Sequence, residues 1–192
     1  VSDNKTLRRE IKKEFNIEGE PSDRFMKLVL EAKPDQVTLV PVIPGEITSD
    51  HGFNLFHKGE KAAVIKAIEA CKPIGLRISL FMDTDTEGYE IAKAIGADRI
   101  ELYTGPFAHA YDKSAESGKV FFKEYESAAN VAHSLGLGIN AGHDLDTNNL
   151  TVFAKLPHLA EVSIGHRLVS QALIDGMDQT IKDYLKVLSI KN

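Results

Sequence analysis

The chain has 192 residues, of which 43% are hydrophobic and 27% charged, with a formal charge of -5 and one cysteine. That balance suits one globular domain, 1–192, with a core of its own, and it excludes a disordered chain. The acidic surplus argues against nucleic acid as a partner, because duplex binders carry a basic face, and it favours a small molecule or a protein.

Cys71 has no internal disulfide partner, and its helical setting beside Ile68 and Ala70 reads as a buried, inert thiol in a reducing compartment. No apolar run approaches the roughly 20 residues of a membrane helix, and no charged-then-apolar signal opens the chain. A cytoplasmic protein with no membrane partner is expected.

A helix over 2–11, capped by Ser2 or Asp3, leads into a short strand, Phe15-Asn16-Ile17-Glu18. Pro21 is placed to begin a helix over 22–33, with Phe25, Leu28, Val29 and Ala32 on one face. A strand over 36–41 follows, then a Pro- and Gly-containing loop to about Lys58, long and polar enough to be functional, and a helix over 59–71. Next come a strand over 77–83 with a helix over 86–95, and a strand over 99–103 with a helix over 119–135. Two strands then end alike, Gly138-Ile139-Asn140-Ala141-Gly142-His143 and Glu161-Val162-Ser163-Ile164-Gly165-His166, each followed by a helix of its own. The last helix, about 168–188, places Leu173, Met177, Ile181, Leu185 and Leu188 on one stripe.

Six strands alternate with helices, and they read as short apolar runs, the pattern of a parallel sheet covered by helices. A dinucleotide-binding sheet would show Gly-x-Gly-x-x-Gly after its first strand, and the chain has no such turn. Units of about 30 residues with polar groups at every strand end favour a (β/α)8 TIM barrel. A barrel of that kind takes about 250 residues, and two more strand-helix units would add roughly 50 to 60. The expectation is a barrel lacking its first two units, with the missing length before Val1.

Polar groups and glycines at the ends of barrel strands point to chemistry, because the loops on that face build active sites. Glu101 sits inside a strand and Glu18 ends one; a buried carboxylate costs several kcal/mol unless it is paired or placed in a polar site. His143, between Gly142 and Asp144, puts an imidazole on the rim, where it can transfer protons. Gly165-His166 lies between the last strand and the last helix, where barrels bind phosphate through backbone N–H groups. Asp83-Thr84-Asp85 could be a metal-ligating pair but reads better as a helix cap. His51, His57, His109, His133 and His158 have no spacing that suits zinc.

With those residues in view, the chain resembles the pyridoxine 5′-phosphate synthase family. The matching stretches are Asn16-Ile17-Glu18, Val40-Pro41 with Gly45-Glu46-Ile47-Thr48-Ser49, Ser79-Leu80-Phe81-Met82-Asp83, Ile100-Glu101-Leu102-Tyr103-Thr104-Gly105, Asn140-Ala141-Gly142-His143 and Ile164-Gly165-His166. They stand in family order along nearly the whole chain.

The resemblance implies a (β/α)8 barrel with extra helices, assembled as a homo-octamer, a tetramer of dimers. It also implies condensation of 3-amino-2-oxopropyl phosphate with 1-deoxy-D-xylulose 5-phosphate, releasing phosphate and water, with no metal or redox cofactor. Glu18 then matches the family's base, His143 its acid and Glu101 the carboxylate that stabilises charge. Thr48 matches a contact to the deoxyxylulose phosphate, while Gly165, His166 and Asp144 match the groups that hold the aminoacetone phosphate. Two departures stand out. The family's Asn-x-Asp-His stretch with its nearby arginine, and a catalytic histidine and phosphate-binding arginine, match nothing after Val1. Many members also have glycine where this chain has Asp144, so the resemblance requires that carboxylate to point away from the ligand. Two other readings are an isomerase or epimerase on a phosphate-binding barrel, and a truncated, non-catalytic barrel subunit.

Overall fold

A computed structural model describes residues 2–43, 45 and 48–189. Pro44, Glu46 and Ile47 lie outside the described residues, so the stretch from Gly45 to Ser49 is described only in part. In order, the elements are α1 (Ser2–Glu10), β1 (Asn16–Gly19), α2 (Asp23–Ala32), β2 (Gln36–Leu39), α3 (Lys58–Cys71), β3 (Arg77–Met82) and α4 (Tyr89–Ala94). They continue with β4 (Arg99–Tyr103), α5 (Gly105–Lys113), α6 (Ala115–Ser134), β5 (Gly138–Gly142), α7 (Leu150–Phe153), β6 (Leu159–Ser163), α8 (His166–Asp175) and α9 (Met177–Ser189). The six strands form one sheet in sequence order, each parallel to the next.

The sheet curls. In a flat sheet β2 and β6 would lie about 19 Å apart, four strand spacings. Yet Gln36 Nε2 on β2 donates to Glu161 Oε2 on β6 at 3.3 Å. That bond crosses the concave side, so the strands wrap an interior as barrel strands do.

The strands are not plain apolar runs, as their composition suggested, but alternate strictly. Ile78, Leu80, Met82, Ile100, Leu102, Ile139 and Ala141 face the helices and join the main core. Between them Thr38, Ser79, Glu101 and Asn140 point into the curl, all buried. Apart from a small apolar cluster of Val40, Phe81 and Tyr103, the interior face is polar, as suits a site rather than a packed core.

At the strands' N-terminal ends that interior is closed by ion pairs. Arg99 Nη1 lies 2.9 Å from Glu161 Oε1, Arg77 Nη1 lies 2.8 Å from Glu14 Oε1, and Asn140 Nδ2 donates to Glu161 Oε2 at 3.0 Å. Each half-buried charge has a partner, which offsets its desolvation. The C-terminal ends stay open.

Several helices differ from their sequence reading. Ser22 is the N-cap of α2: its Oγ accepts from Phe25 N at 3.4 Å, so Pro21 precedes the cap and is not the first helical residue. The segment between β4 and the expected helix at 119 is itself helical: Pro106 lies in the first turn of α5, and Ser114 caps α6 by accepting from Ser117 N at 3.0 Å. Gly118 lies inside α6 and is a packing glycine: a Cβ there would fall 2.6 Å from Tyr111 Cδ2.

The single C-terminal helix is in fact two, divided at Gly176, whose φ of 81° no ordinary helix residue adopts. Of the expected apolar stripe, Leu188 packs against the core but the rest does not. Leu173, Met177, Ile181 and Leu185 are exposed, and Thr180 and Tyr184 are the buried positions of α9. Cys71 is fully buried, as expected. No described helix is long and apolar enough to cross a membrane.

Candidate active site

The open end of the curl holds a cavity of about 360 Å³, lined by Asn16, Glu18, Thr48, Phe81, Glu101, His143, Asp144, Ser163, Ile164, Gly165 and His166. All seven residues singled out from the sequence, Glu18, Thr48, Glu101, His143, Asp144, Gly165 and His166, are brought together there. They come from β1, β4, the ends of β5 and β6, and the loop after β2.

Glu101 is the most deeply placed. It is 1% exposed and accepts from Ser163 Oγ at 3.1 Å. Its carboxylate presses against the backbone of the neighbouring strand: a Cβ on Gly142 would stand 2.3 Å from Glu101 Oε1. Gly142 is therefore required by the glutamate beside it. Burial, and next the negative Glu18, push the Glu101 carboxyl up to about 8 from its ordinary 4.5. Burial also raises Glu18, against an opposing pull from His143. Both carboxyls hold protons more tightly than free glutamates do.

His143 follows the last residue of β5. Its Nε2 lies 3.1 Å from Thr48 Oγ1, its Nδ1 lies 3.0 Å from Asp144 Oδ2, and its ring meets that of Tyr103 edge-on at 5.2 Å. His143 and Asp144 have φ values of 86° and 56°, consecutive left-handed positions. For residues other than glycine each costs about 1–3 kcal/mol, and such strain gathers at functional sites. Thr104 holds the turn, its hydroxyl donating to the Gly142 carbonyl at 2.7 Å and also reaching the His143 carbonyl.

On the far wall, Gly165 leads into α8 with no side chain capping its first turn. A Cβ on Gly165 would meet nothing within 4 Å, so packing does not demand glycine there. The uncapped N–H groups of an α-helix start favour an anion. Asp83 and Asp85 are tied down locally, accepting from Gly52 N at 3.0 Å and Glu87 N at 3.2 Å, so capping describes Asp85 and loop anchoring Asp83. Among the described residues no group of three or more His, Cys, Asp or Glu side chains could hold a metal ion.

Sequence reasoning missed Asn16, Phe81, Ser163 and Arg167. The first three lie at inward positions of alternating strands, a signal that was present two residues from Glu18, Asp83 and Glu161. Arg167 gave none: only folding brings Asp112, Asp144 and Asp146 around it.

The chain resembles known proteins in sequence and in fold. Residues 1–190 match the family model described as pyridoxal phosphate biosynthesis protein PdxJ. The pyridoxine 5'-phosphate synthase of Leptospira biflexa serovar Patoc is 62% identical over 181 residues, covering 94% of this chain and 70% of that protein. The protein of the same name from Brucella abortus strain S19 is 49% identical over 177 residues, covering 92% and 71%. Among solved structures, the tryptophan synthase A-subunit of Pyrococcus furiosus superposes with a TM-score of 0.61 at 11% identity, over 97% of this chain and 71% of that one. The citrate synthase SbnG superposes with a TM-score of 0.54, also at 11% identity, over 96% and 77%. These two likenesses speak for the fold alone. By sequence over nearly its whole length, the chain belongs to the PdxJ family of pyridoxal phosphate biosynthesis proteins.

Proposed function

We propose that the chain is a pyridoxine 5′-phosphate synthase, joining 3-amino-2-oxopropyl phosphate to 1-deoxy-D-xylulose 5-phosphate at the open end of its curled sheet. One observation carries this reading: the seven residues that match the family's site line a single cavity, although they come from separate elements. Gly165 and His166 hold the aminoacetone phosphate at the start of α8, with the Asp144 backbone beside it, and Thr48 contacts the deoxyxylulose phosphate.

The chemistry asks for protons to be moved on and off carbon, nitrogen and oxygen. The amine adds to the ketone; the carbinolamine C–O bond then breaks, its oxygen takes a proton from His143, and water leaves as the imine forms. Glu18 removes protons from carbon ahead of phosphate loss and ring closure. Its raised affinity for protons makes it a stronger base than a solvated glutamate. Glu101 holds its proton in the free protein near neutral pH, and a cationic imine beside it would favour the carboxylate, so its charge develops with the charge it stabilises.

The same reading takes the six strands as part of an eight-stranded barrel, supported by the curl and by likeness to barrel-like folds. It also takes the protein to be cytoplasmic and homo-octameric. The test is to incubate the protein expressed from its whole gene with both substrates. A pyridine chromophore, formed with one inorganic phosphate released per ring, is expected. Conversion of one substrate in the absence of the other would instead identify an isomerase or epimerase, and no conversion of either would refute the assignment.

A further inference from the structure

Asp144 raises a question, since family members often carry glycine there and its carboxylate was expected to turn from the site. Its side chain is 13% exposed and approaches three groups: His143 Nδ1 at 3.0 Å, His109 Nε2 at 3.6 Å and Arg167 Nε at 3.9 Å. Arg167 is itself anchored by Asp112 and by Asp146 Oδ2, the latter at 3.0 Å, which ties α5, the loop after β5 and the first turn of α8 together. The largely buried carboxylate thus sits within ion-pair distance of α5 and α8, and among the described residues its one side-chain hydrogen bond is to the imidazole beside it.

We propose that Asp144 is a positioning residue that accepts the Nδ1 hydrogen of His143, so that Nε2 alone faces Thr48 and the cavity. The inference rests on His143 being the acid of the proposed reaction. A carboxylate has no hydrogen to donate, so the Nδ1 contact assigns the Nδ1–H form to the neutral ring and leaves Nε2 as acceptor for the Thr48 hydroxyl. In the acidic form both nitrogens carry hydrogen. When Nε2 gives its proton to the departing oxygen, the ring is left as the Nδ1–H imidazole already bonded to Asp144. No ring rotation is needed between cycles. Arg167 lies in the first turn of α8 beside the proposed phosphate cradle, so the same carboxylate lies between acid and cradle.

Two variants and two readouts test this. Asp144→Gly removes the carboxylate at φ 56° without backbone strain, and Asp144→Asn keeps an acceptor oxygen in a residue that tolerates that φ. With the His143 ring nitrogens observed by ¹⁵N NMR and the imidazole neutral, the Nδ1–H tautomer is expected in the parent protein and in Asp144→Asn, and its loss in Asp144→Gly. In pyridine formation, Asp144→Gly should lose about tenfold or more in kcat with KM for 3-amino-2-oxopropyl phosphate within about twofold, and Asp144→Asn should recover most of it. An Nε2–H ring in the parent protein overturns the inference. A change in KM alone overturns it too, since that would make Asp144 a substrate contact. The NMR result stands whether or not the condensation occurs, so failure of the tautomer and failure of the assigned reaction are told apart.

Discussion

Replacing Glu101 by glutamine should make the protein more stable at alkaline pH while abolishing its proposed chemistry. Glu101 is 1% exposed, and its carboxyl is raised from 4.5 to about 8, first by burial and then by Glu18. Below pH 4.5 the folded and unfolded chains both keep the proton, and nothing is lost. Between 4.5 and about 8 the unfolded chain releases a proton that the folded chain retains, so stability falls as pH rises. Above about 8 the whole cost is present. At about 1.4 kcal/mol per tenfold change in proton affinity, it amounts to about 5 kcal/mol. Glutamine keeps the shape and can still accept from Ser163 without ever ionising. Denaturant unfolding of both proteins from pH 5 to pH 9 is the assay. The two curves should differ by no more than about 1 kcal/mol at pH 5 and diverge above it, with the variant ahead by several kcal/mol at pH 9. Parallel curves across that range would refute the reasoning.

Other substitutions probe other walls of the cavity. Gly142→Ala drives a methyl group to within 2.3 Å of Glu101 Oε1, so the carboxylate must leave its place; kcat should fall at least tenfold, with about 1–2 kcal/mol lost in denaturant unfolding. Gly165→Ala meets no atom within 4 Å, so its unfolding midpoint should match the parent's while KM for the aminoacetone phosphate rises severalfold in steady-state assays. Glu18→Gln should lower kcat by roughly 10² to 10⁴, as loss of a general base does, without changing phosphate-substrate binding measured by calorimetry.

The strands and the candidate site were legible because each strand ends on a turn signal, and the chemistry-bearing residues other than Glu101 sit at those ends. Glu18, Glu101 and His143 could be singled out one by one; that they share a cavity follows from the parallel register, in which Glu101 pairs with Asn140 and Phe81. The inward polar face was harder to see. Thr38 and Ser79 are small enough to pass within an apolar run, and only the curl gives them an inside to face. Two glycines do opposite things: Gly118 lies within α6 because Tyr111 needs the room, while Gly176 breaks what periodicity read as one helix. The stripe through Leu173 and Met177 is regular in sequence yet exposed, since periodicity tells which residues share a face and not what that face meets.

His143→Asn tests the account most directly. Asparagine tolerates the left-handed backbone that His143 adopts at φ 86°, so the turn should survive, but it cannot pass a proton. Pyridine formation from the two phosphorylated substrates should fall by roughly 10² to 10⁴ relative to the parent protein, with the unfolding midpoint unchanged. Equal rates in the two proteins would contradict the assignment of His143 as the acid of this site.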